Sequence, residues 1–478
     1  MADPDVCGYP WQELKKASST VIGMRLFGTS GIRGVVGQDL SLDFCRELAQ
    51  AIGTALAPHS RVCIATDTRV SRETLKSAVI SGLRSSGIDV TDLGILPTPA
   101  LAFLTRDMGF DTGVMITASH NPPEFNGIKL FNANCVGYSK VQEAEIEEVF
   151  GEKEFRTGYL GSLDQSQEAK ERYFQFMLDR FPKRSSDCDL RIVVDPGNGA
   201  ASGFASELFS VLGFDVIPVN DEPDGLFPGR NPEPREDTLA GTVEFLRQQN
   251  ADLAVCFDGD ADRVVFCDKE GFLGFTEVIA FISRLAVKES KKRKVATTVE
   301  TGKLLDLALR DLGVEVVRGR VGDVSVAYLA QELDAAIGVE PVGVYIMPEV
   351  GYYPDSLFAT LTLLNRIKEV AEIRDFFKDM PQLFLGQRKF PCPNGLKAVV
   401  IERIEENTGF FGTSQLNTLD GLRFEFDDSW MLIRASGTEP AIRVIAESTS
   451  KSQTDELIKE GTRLVEHILL SSPSTGED

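Results

Sequence analysis

Gly113-Val-Met-Ile-Thr-Ala-Ser119-His120-Asn-Pro-Pro-Glu-Phe-Asn-Gly-Ile-Lys129 sets the reading of this chain. The apolar run Val114 to Ile116 stops at Thr117, and small and polar residues replace it. A buried strand that breaks into Ser-His-Asn-Pro presents a hydroxyl on a loop at the strand's carboxyl end, where ligands collect in α/β sheets. Ser119 is a candidate nucleophile if a neighbour activates it. Taken alone, it could equally cap a turn.

A second apolar run, Ala251 to Phe257, ends in Asp258-Gly259-Asp260-Ala261-Asp262-Arg263. Three carboxylates at alternate positions around small residues can converge on one point. A hard divalent cation such as Mg²⁺ removes their mutual repulsion. A calcium loop of the EF-hand type fits poorly, because Arg263 stands where it needs Gly and Lys269 where it needs a bidentate Glu. A solvated acidic turn is the bland alternative. Near the end, two apolar segments flank Arg434-Ala-Ser436-Gly437-Thr438-Glu439-Pro440-Ala-Ile-Arg443. Hydroxyls, a Gly that bares backbone N–H groups and two guanidiniums suit a dianionic phosphate. A β-hairpin with a decorated turn would show the same pattern.

One arrangement recurs three times. An apolar strand ends in a polar loop, a helical stretch follows, and Gly–apolar–acid–Val opens the next strand. The strands begin at Val62, Ile192 and Val295, and the returns are Gly87–Val90, Gly213–Val216 and Gly313–Val316. Such units predict an α/β chain with three related, largely parallel-sheet domains. After about residue 384 the pattern stops. Leu422 to Glu447 reads as paired strands and Gln453 to Leu470 as a helix, giving a smaller C-terminal α+β domain. The tail from Ser471 reads as frayed. Asp195-Pro-Gly197-Asn-Gly199-Ala-Ala-Ser-Gly203 approaches a dinucleotide fingerprint, but its last glycine falls one residue late; a supporting turn fits better than a dehydrogenase.

With 478 residues, about three domains follow from length alone. The formal charge of −22 favours solubility and disfavours a nucleic acid or an anionic membrane as partner. The eight cysteines (7, 45, 63, 135, 188, 256, 267 and 392) form no Cys-x-x-Cys pair and read as reduced core residues of a cytoplasmic protein. No stretch is long and apolar enough to span a bilayer, and Asp3 and Asp5 do not suit a signal peptide. The sequence carries no signal for an oligomeric state.

Four segments together resemble the α-D-phosphohexomutase superfamily: Phe27-Gly-Thr-Ser-Gly-Ile-Arg33-Gly34, the Ser119 loop, the Asp258–Arg263 loop and Arg434–Pro440. The likeness runs from about Leu26 to about Glu447. It is greatest to the archaeal phosphomannomutase/phosphoglucomutase-like branch, related to phosphoglucosamine mutases, through Asp224–Pro234 and Val339-Glu340-Pro-Val-Gly343. It implies four domains around one cleft: an extension at 1–23, then units at 24–165 with the phosphoserine loop, 166–270 with the metal loop, 271–384 with the sugar loop and 385–478 with the phosphate loop. Because the family begins near Phe27, Met24 is a candidate start.

The resemblance also implies roles. Ser119 carries the phosphoryl group, and that group together with Asp258, Asp260 and Asp262 holds one Mg²⁺. Arg33, His120, Lys129 and Arg263 belong to the catalytic cluster, which Asp67-Thr-Arg69 orients. Arg434, Ser436, Gly437, Thr438 and Arg443 clamp the substrate's own phosphate. Glu340 and Gly343 read the sugar, with Arg320, Gly322 and Asp323 as second-line contacts. A hexose 1-phosphate becomes a hexose 6-phosphate through a hexose 1,6-bisphosphate, which also primes the serine. Val342 and Val344 stand where the family often has Ser and His, which leaves the preferred sugar and the general base open; Lys129 or a solvent-assisted route could replace that His. A phosphoserine-type phosphatase and a phosphosugar sensor are the competing readings. Mass spectrometry of the natural protein checks the start: a peptide spanning Trp11 to Lys16 excludes Met24.

Overall fold

The structure is a computed structural model that describes residues 26–184, 190–406, 415–437 and 439–471. The expectations placed on residues 1–23, Met24, Thr438 and the tail beyond 471 lie outside them. The recurring strand–helix–strand pattern is present in three sheets. In each, a central strand starts with a cation and its parallel return starts with the acid opposite: Arg61 against Asp89, Arg191 against Asp215 and Lys294 against Glu315. The central strands Arg61–Thr66, Arg191–Asp195 and Lys294–Thr298 are buried beyond their first residue. Helices cover both of their faces, and such strands need near-continuous apolar runs.

On its other side each central strand pairs in parallel with a third strand: Thr112–Ile116, Leu253–Phe257 or Ile337–Glu340. Each third strand then turns back through a short loop into an antiparallel partner, Phe125–Asn132, Val264–Asp268 or Val344–Ile346. Residues 117–124, 258–263 and 341–343 therefore occupy equivalent places, at the carboxyl ends of equivalent strands. The fourth sheet is antiparallel, with Phe384–Pro391 at one edge and Ser429–Ala435 and Ala441–Ser448 paired at its centre. The helix Lys451–Ser471 packs its apolar face on that sheet through Leu457, Leu464, Val465 and Ile468. The architecture is thus three related α/β sheets and one α+β unit.

The first three units share one apolar core. The helices Thr98–Asp107, Ala169–Arg180 and Ser356–Leu364 meet there through Phe103, Tyr173 and Phe358, with Phe103 and Tyr173 rings 5.5 Å apart. The fourth unit is tied to the third by polar contacts over a small apolar patch. Arg423, fully buried and stacked 4.0 Å from the Trp430 ring, donates to the Val299 and Thr301 carbonyls. The Glu447 carboxylate accepts from Trp430 Nε1 and from Lys303 N. No described helix is long and apolar enough to cross a membrane. The six described cysteines are buried and unpaired, while Cys7 and Cys188 lie outside the described residues.

At the junction of the three α/β units, Tyr173 Oη donates to both Asp355 carboxylate oxygens at 2.9 Å, and Asp355 caps the helix that follows by accepting from Phe358 N. Burial raises the Asp355 carboxyl to about 6, against the pull of those hydrogen bonds. A folded-state value above the unfolded one means a contribution to stability that is full below about pH 4 and lost as pH rises through 6. Asp355→Asn removes the titration. Relative to it, the wild type is expected to lose on the order of 3 kcal/mol of unfolding free energy between pH 4 and 7. Urea unfolding across that range checks it; a pH-independent difference contradicts it.

Candidate active site

The strand Thr112–Ile116 is buried throughout and delivers Ser119 into the interior with φ +53°, a left-handed backbone that costs a non-glycine residue roughly 1–3 kcal/mol. The surroundings hold it there. Ser119 N donates to Thr117 Oγ1 at 2.8 Å, and that hydroxyl donates to Asp67 Oδ2 at 2.7 Å. Arg69, wholly buried, pairs with the same carboxylate at 3.0 Å. Its guanidinium also donates to the carbonyls of Ser119, Asn121, Pro122 and Phe125 at 2.5–3.0 Å. One side chain thus gathers the whole loop. Gly259 is required beside it, because a Cβ there would lie 2.4 Å from Ser119 O.

The Ser119 hydroxyl donates to Asp258 Oδ2 at 2.7 Å and lies 3.2 Å from His120 Nδ1. Asp258, Asp260 and Asp262 are buried, and one oxygen from each falls within 4.8 Å of the others. Ala261 makes the turn with φ +56°. Lys129 lies opposite Met115 in the sheet, so its ammonium enters the same cluster and donates to Asp260 Oδ2 at 2.7 Å and Asp262 Oδ2 at 2.5 Å. The other oxygens, Asp260 Oδ1 and Asp262 Oδ1, are buried without a hydrogen bond, although Arg263 Nε stands 3.8 Å from the latter. Two orphaned carboxylate oxygens beside a third carboxylate and a hydroxyl form an all-oxygen donor set that fits Mg²⁺.

The charges are ordered by position. Burial, then Asp262 and Asp260, push the Asp258 carboxyl well above its usual range. Burial acts most strongly to raise Asp260, but Lys129, Thr98 and Arg33 together outweigh it and hold that group below the ordinary value. Burial disfavours the Lys129 ammonium, yet Asp260 and Asp262 hold its pKa above normal. Lys129 is thus held as an ammonium between the two acids. Burial, with Arg263, Arg33 and Lys129 nearby, depresses His120 far below the usual imidazole value, leaving the ring neutral. Arg33 donates to Asn121 Oδ1 at 3.0 Å, and Arg263 N to Asp258 Oδ1 at 3.1 Å.

The third unit faces this cluster with Glu340, whose Oε1 accepts from Gly322 N at 2.8 Å; burial and the Asp323 charge raise its carboxyl to about 7. Asp323 accepts from Ser30 Oγ of the first unit at 3.2 Å. Gly343 has φ +83°, and its carbonyl accepts from Val264 N, directly after the acidic loop; a Cβ would lie 2.5 Å from Val264 O. Its backbone thus ties the two loops together. Val344 is buried in an apolar cluster with Val136, Ala296 and Ile346, and Val342 packs against it. Arg320 is exposed at the end of its strand.

In the fourth unit Arg434 and Arg443 face each other across the central strand pair. Arg434 pairs with Glu300 and Asp420, each at 3.1 Å, and Arg443 with Glu439 at 3.0 Å. Ser436 Oγ accepts from Glu439 N, and Gly437 approaches Thr29 of the first unit, since a Cβ on it would meet Thr29 Cγ2 at 3.3 Å. The hairpin tip therefore closes onto the Gly28–Ile32 turn. Buried Ser119, Lys129 and the three aspartates come together as one cluster with half-buried His120, Arg33 and Arg263 at its edge, and Glu340 and Asp323 beside it. Thr98 and Ser356, which help hold the acidic loop, carried no local signal in the sequence, and Arg230 stood in the Asp224–Pro234 segment without an assigned role.

Three related α/β units and an α+β unit, with equivalent loops turned onto a buried serine and an acidic triad, define a phosphohexomutase, an isomerase that moves a phosphoryl group within its substrate. The chain belongs to the phosphoglucomutase/phosphomannomutase family: that family's alpha/beta/alpha domains I, II and III match residues 24–157, 171–271 and 276–384, and its C-terminal domain matches 388–463. It is 38% identical to a Pyrococcus abyssi protein named "Probable phosphoglucosamine mutase", over 94% of this chain and 100% of that one. It is 36% identical to a Thermococcus kodakarensis protein named "Phosphoglucomutase/phosphomannomutase", over 93% and 99%. A crystal structure of a phosphoglucomutase/phosphomannomutase family protein from Burkholderia thailandensis superposes with a TM-score of 0.84 at 25% identity, covering 95% of this chain and 99% of that one.

Replacing Arg69 takes the cation from buried Asp67 and withdraws a side-chain donor from four carbonyls of the serine loop. Arg69→Met is expected to destabilise the fold by about 3–5 kcal/mol. Arg443→Met, on the partly exposed hairpin face, is expected to change it by about 1 kcal/mol or less. Urea unfolding of both variants checks the contrast.

Proposed function

We propose that this chain interconverts hexose 1-phosphates and hexose 6-phosphates of the mannose and glucose type through a phosphoserine at Ser119 and a hexose 1,6-bisphosphate. The observation that carries the reading is the Ser119 hydroxyl set 2.7 Å from Asp258, beside two buried carboxylate oxygens without hydrogen bonds. A hydrolase would not need the second phosphate clamp at Arg434 and Arg443. A sensor would not need a serine in a strained backbone among fixed charges.

Asp258, Asp260 and Asp262, with an oxygen of the phosphorylated serine, would hold one Mg²⁺, which neutralises charge on the transferring group. Arg434, Ser436, Gly437 and Arg443 bind the substrate's own phosphate, with Thr438 between them in sequence. Glu340 accepts hydrogen bonds from sugar hydroxyls, supported by Asp323, and Arg320 at the rim draws the anionic substrate in. The 6-hydroxyl of the 1-phosphate attacks the phosphoserine phosphorus, the P–Oγ bond breaks, and the hydroxyl proton ends on Ser119 Oγ. His120, held neutral 3.2 Å from that oxygen, orients Ser119 Oγ by hydrogen bonding, while Lys129, Arg33 and Arg263 stabilise charge. The bisphosphate then turns over, and its 1-phosphoryl group returns to Ser119. Closure of the hairpin on the Gly28–Ile32 turn excludes water that would hydrolyse the phosphoserine. A small phosphosugar substrate and buried, unpaired thiols suit the cytoplasm.

A second reading, phosphoglucosamine mutase, is favoured by the name of the Pyrococcus abyssi relative. Mg²⁺-dependent conversion of mannose, glucose and glucosamine 1-phosphates, primed with trace hexose bisphosphate, separates the two. Ser119→Ala is expected to lose measurable turnover with an unchanged melting temperature, and wild-type rates in that variant would remove the phosphoserine model. Arg443→Ala is expected to raise KM by about 10- to 100-fold, the worth of a charged hydrogen bond, while Mg²⁺ binding stays unchanged. An unchanged KM would take the phosphate off this hairpin.

A further inference from the structure

The acidic loop is held at almost every carbonyl, and the donors come from three different units. Phe257 O accepts from Arg230 Nη2 at 2.6 Å, and Gly259 O accepts from Ala200 N at 2.9 Å, both within the second unit. Asp258 O accepts from Ala261 N inside the loop. Asp260 O accepts from Thr98 N at 2.9 Å, at the start of a helix in the first unit. Ala261 O accepts from Ser356 Oγ at 2.6 Å, and Ser356 opens the helix Ser356–Leu364 of the third unit. Five successive carbonyls are thus satisfied from three directions.

Ser356 is the least expected of these. It lies 95 positions from Ala261 in sequence and is fully buried. Its helix is fixed by the Asp355 cap and, through Tyr173, by the packing of all three α/β units. Ala261 is the left-handed residue between Asp260 and Asp262, so the angle between those two carboxylates depends on where its peptide points. Resting on the metal-site reading above, we propose that Ser356 is a positioning residue that sets the acidic loop for magnesium and against calcium. Mg²⁺ demands near-octahedral oxygens at about 2.0–2.1 Å, whereas Ca²⁺ accepts six to eight in looser geometry. A peptide pinned by a buried hydroxyl favours the stricter ion. Without the hydroxyl, Ala261 O is left buried with no donor, and the loop must shift to find one.

The test measures binding directly on the full chain. Mn²⁺ affinity is read by electron paramagnetic resonance, and Mg²⁺ and Ca²⁺ affinities by competition. Ser356→Ala is expected to weaken Mg²⁺ by about tenfold, the usual effect of removing an outer partner of a metal ligand set, and to weaken Ca²⁺ less. Ser356→Thr restores the hydroxyl and is expected to bind as wild type; kcat in Ser356→Ala falls while KM for phosphosugar stays. Ser283→Ala is the control, since Ser283 is another fully buried serine of the same unit whose hydroxyl has no partner. Ser356→Cys, a weaker donor of similar shape, is expected to fall between and serves if the alanine variant folds poorly. Unchanged Mg²⁺ affinity in Ser356→Ala or Ser356→Cys, or equal losses for both ions matched by Ser283→Ala, would overturn the proposal. If the wild type bound neither ion, the metal-site reading itself would fall.

Discussion

Three carboxylates with oxygens within 4.8 Å of one another, on a loop that solvent barely reaches, repel each other by several kcal/mol per pair even in a medium of effective dielectric about 20. Everything around the loop answers that repulsion. Lys129 spans two of the acids, Arg263 and Arg33 stand close, and the Asp258 carboxyl is driven toward its protonated form. These groups reduce the cost without removing it, because Asp260 Oδ1 and Asp262 Oδ1 still lack a hydrogen bond. The fold supplies the rest of the restraint mechanically. Carboxylates that repel will open a soft loop, and this one is tied by its carbonyls to three separate units. The serine is held by a comparable device in the first unit, where Arg69 collects four carbonyls around Ser119.

How much of this was readable from the sequence depended on whether a feature repeats locally. The strand starts at Val62, Ile192 and Val295 and the returns at Gly87, Gly213 and Gly313 carry a local signature, and the sheets follow it. The loops at Ser119 and Asp258 were legible for a related reason: an apolar run that stops in polar residues marks a strand's carboxyl end. Arg69 was visible only by its nearness to Asp67, and its reach to Phe125 O was not. Thr98 and Ser356 gave no sign, and Arg230, inside the Asp224–Pro234 segment, gave none of its role, since a side chain that bonds a carbonyl dozens of residues away leaves no periodicity. Gly343 shows the same limit. Beside Glu340 it reads as part of a sugar loop, whereas its contact with Val264 depends on how two hairpins stack.

Equivalent position also explains why unlike chemistry sits in equivalent loops. Each α/β sheet ends its third strand in a turn back to an antiparallel partner, and the three turns converge because the units share one core through Phe103, Tyr173 and Phe358. The first turn offers a hydroxyl, the second an acidic triad and the third Glu340, so the architecture delivers three different groups to one place. Val342 and Val344 fit this geometry. Their side chains pack into or against an apolar cluster that includes Val136 of the first unit, so they strengthen the joint between the first and third units. The polar work left to that turn falls on Glu340.

The fourth unit solves a different electrostatic problem. Like charges directly opposite on neighbouring strands destabilise a sheet, and Arg434 and Arg443 are such a pair. Without an anion between them they are kept apart in charge by borrowed acids: Glu300 from the third unit, Asp420 from the preceding turn and Glu439 from the hairpin itself. On the proposed function, a dianionic phosphate competes with those acids for the same guanidiniums. Glu300 is the pair that crosses between units, so filling the site weakens one tie while the Arg423, Trp430 and Glu447 contacts persist. The fourth unit then keeps its anchor on the third while the hairpin exchanges Glu300 for the ligand. A strongly acidic chain can thus hold a doubly negative ligand: its few positive groups at the cleft are pre-paired, and the ligand exchanges one set of partners for another.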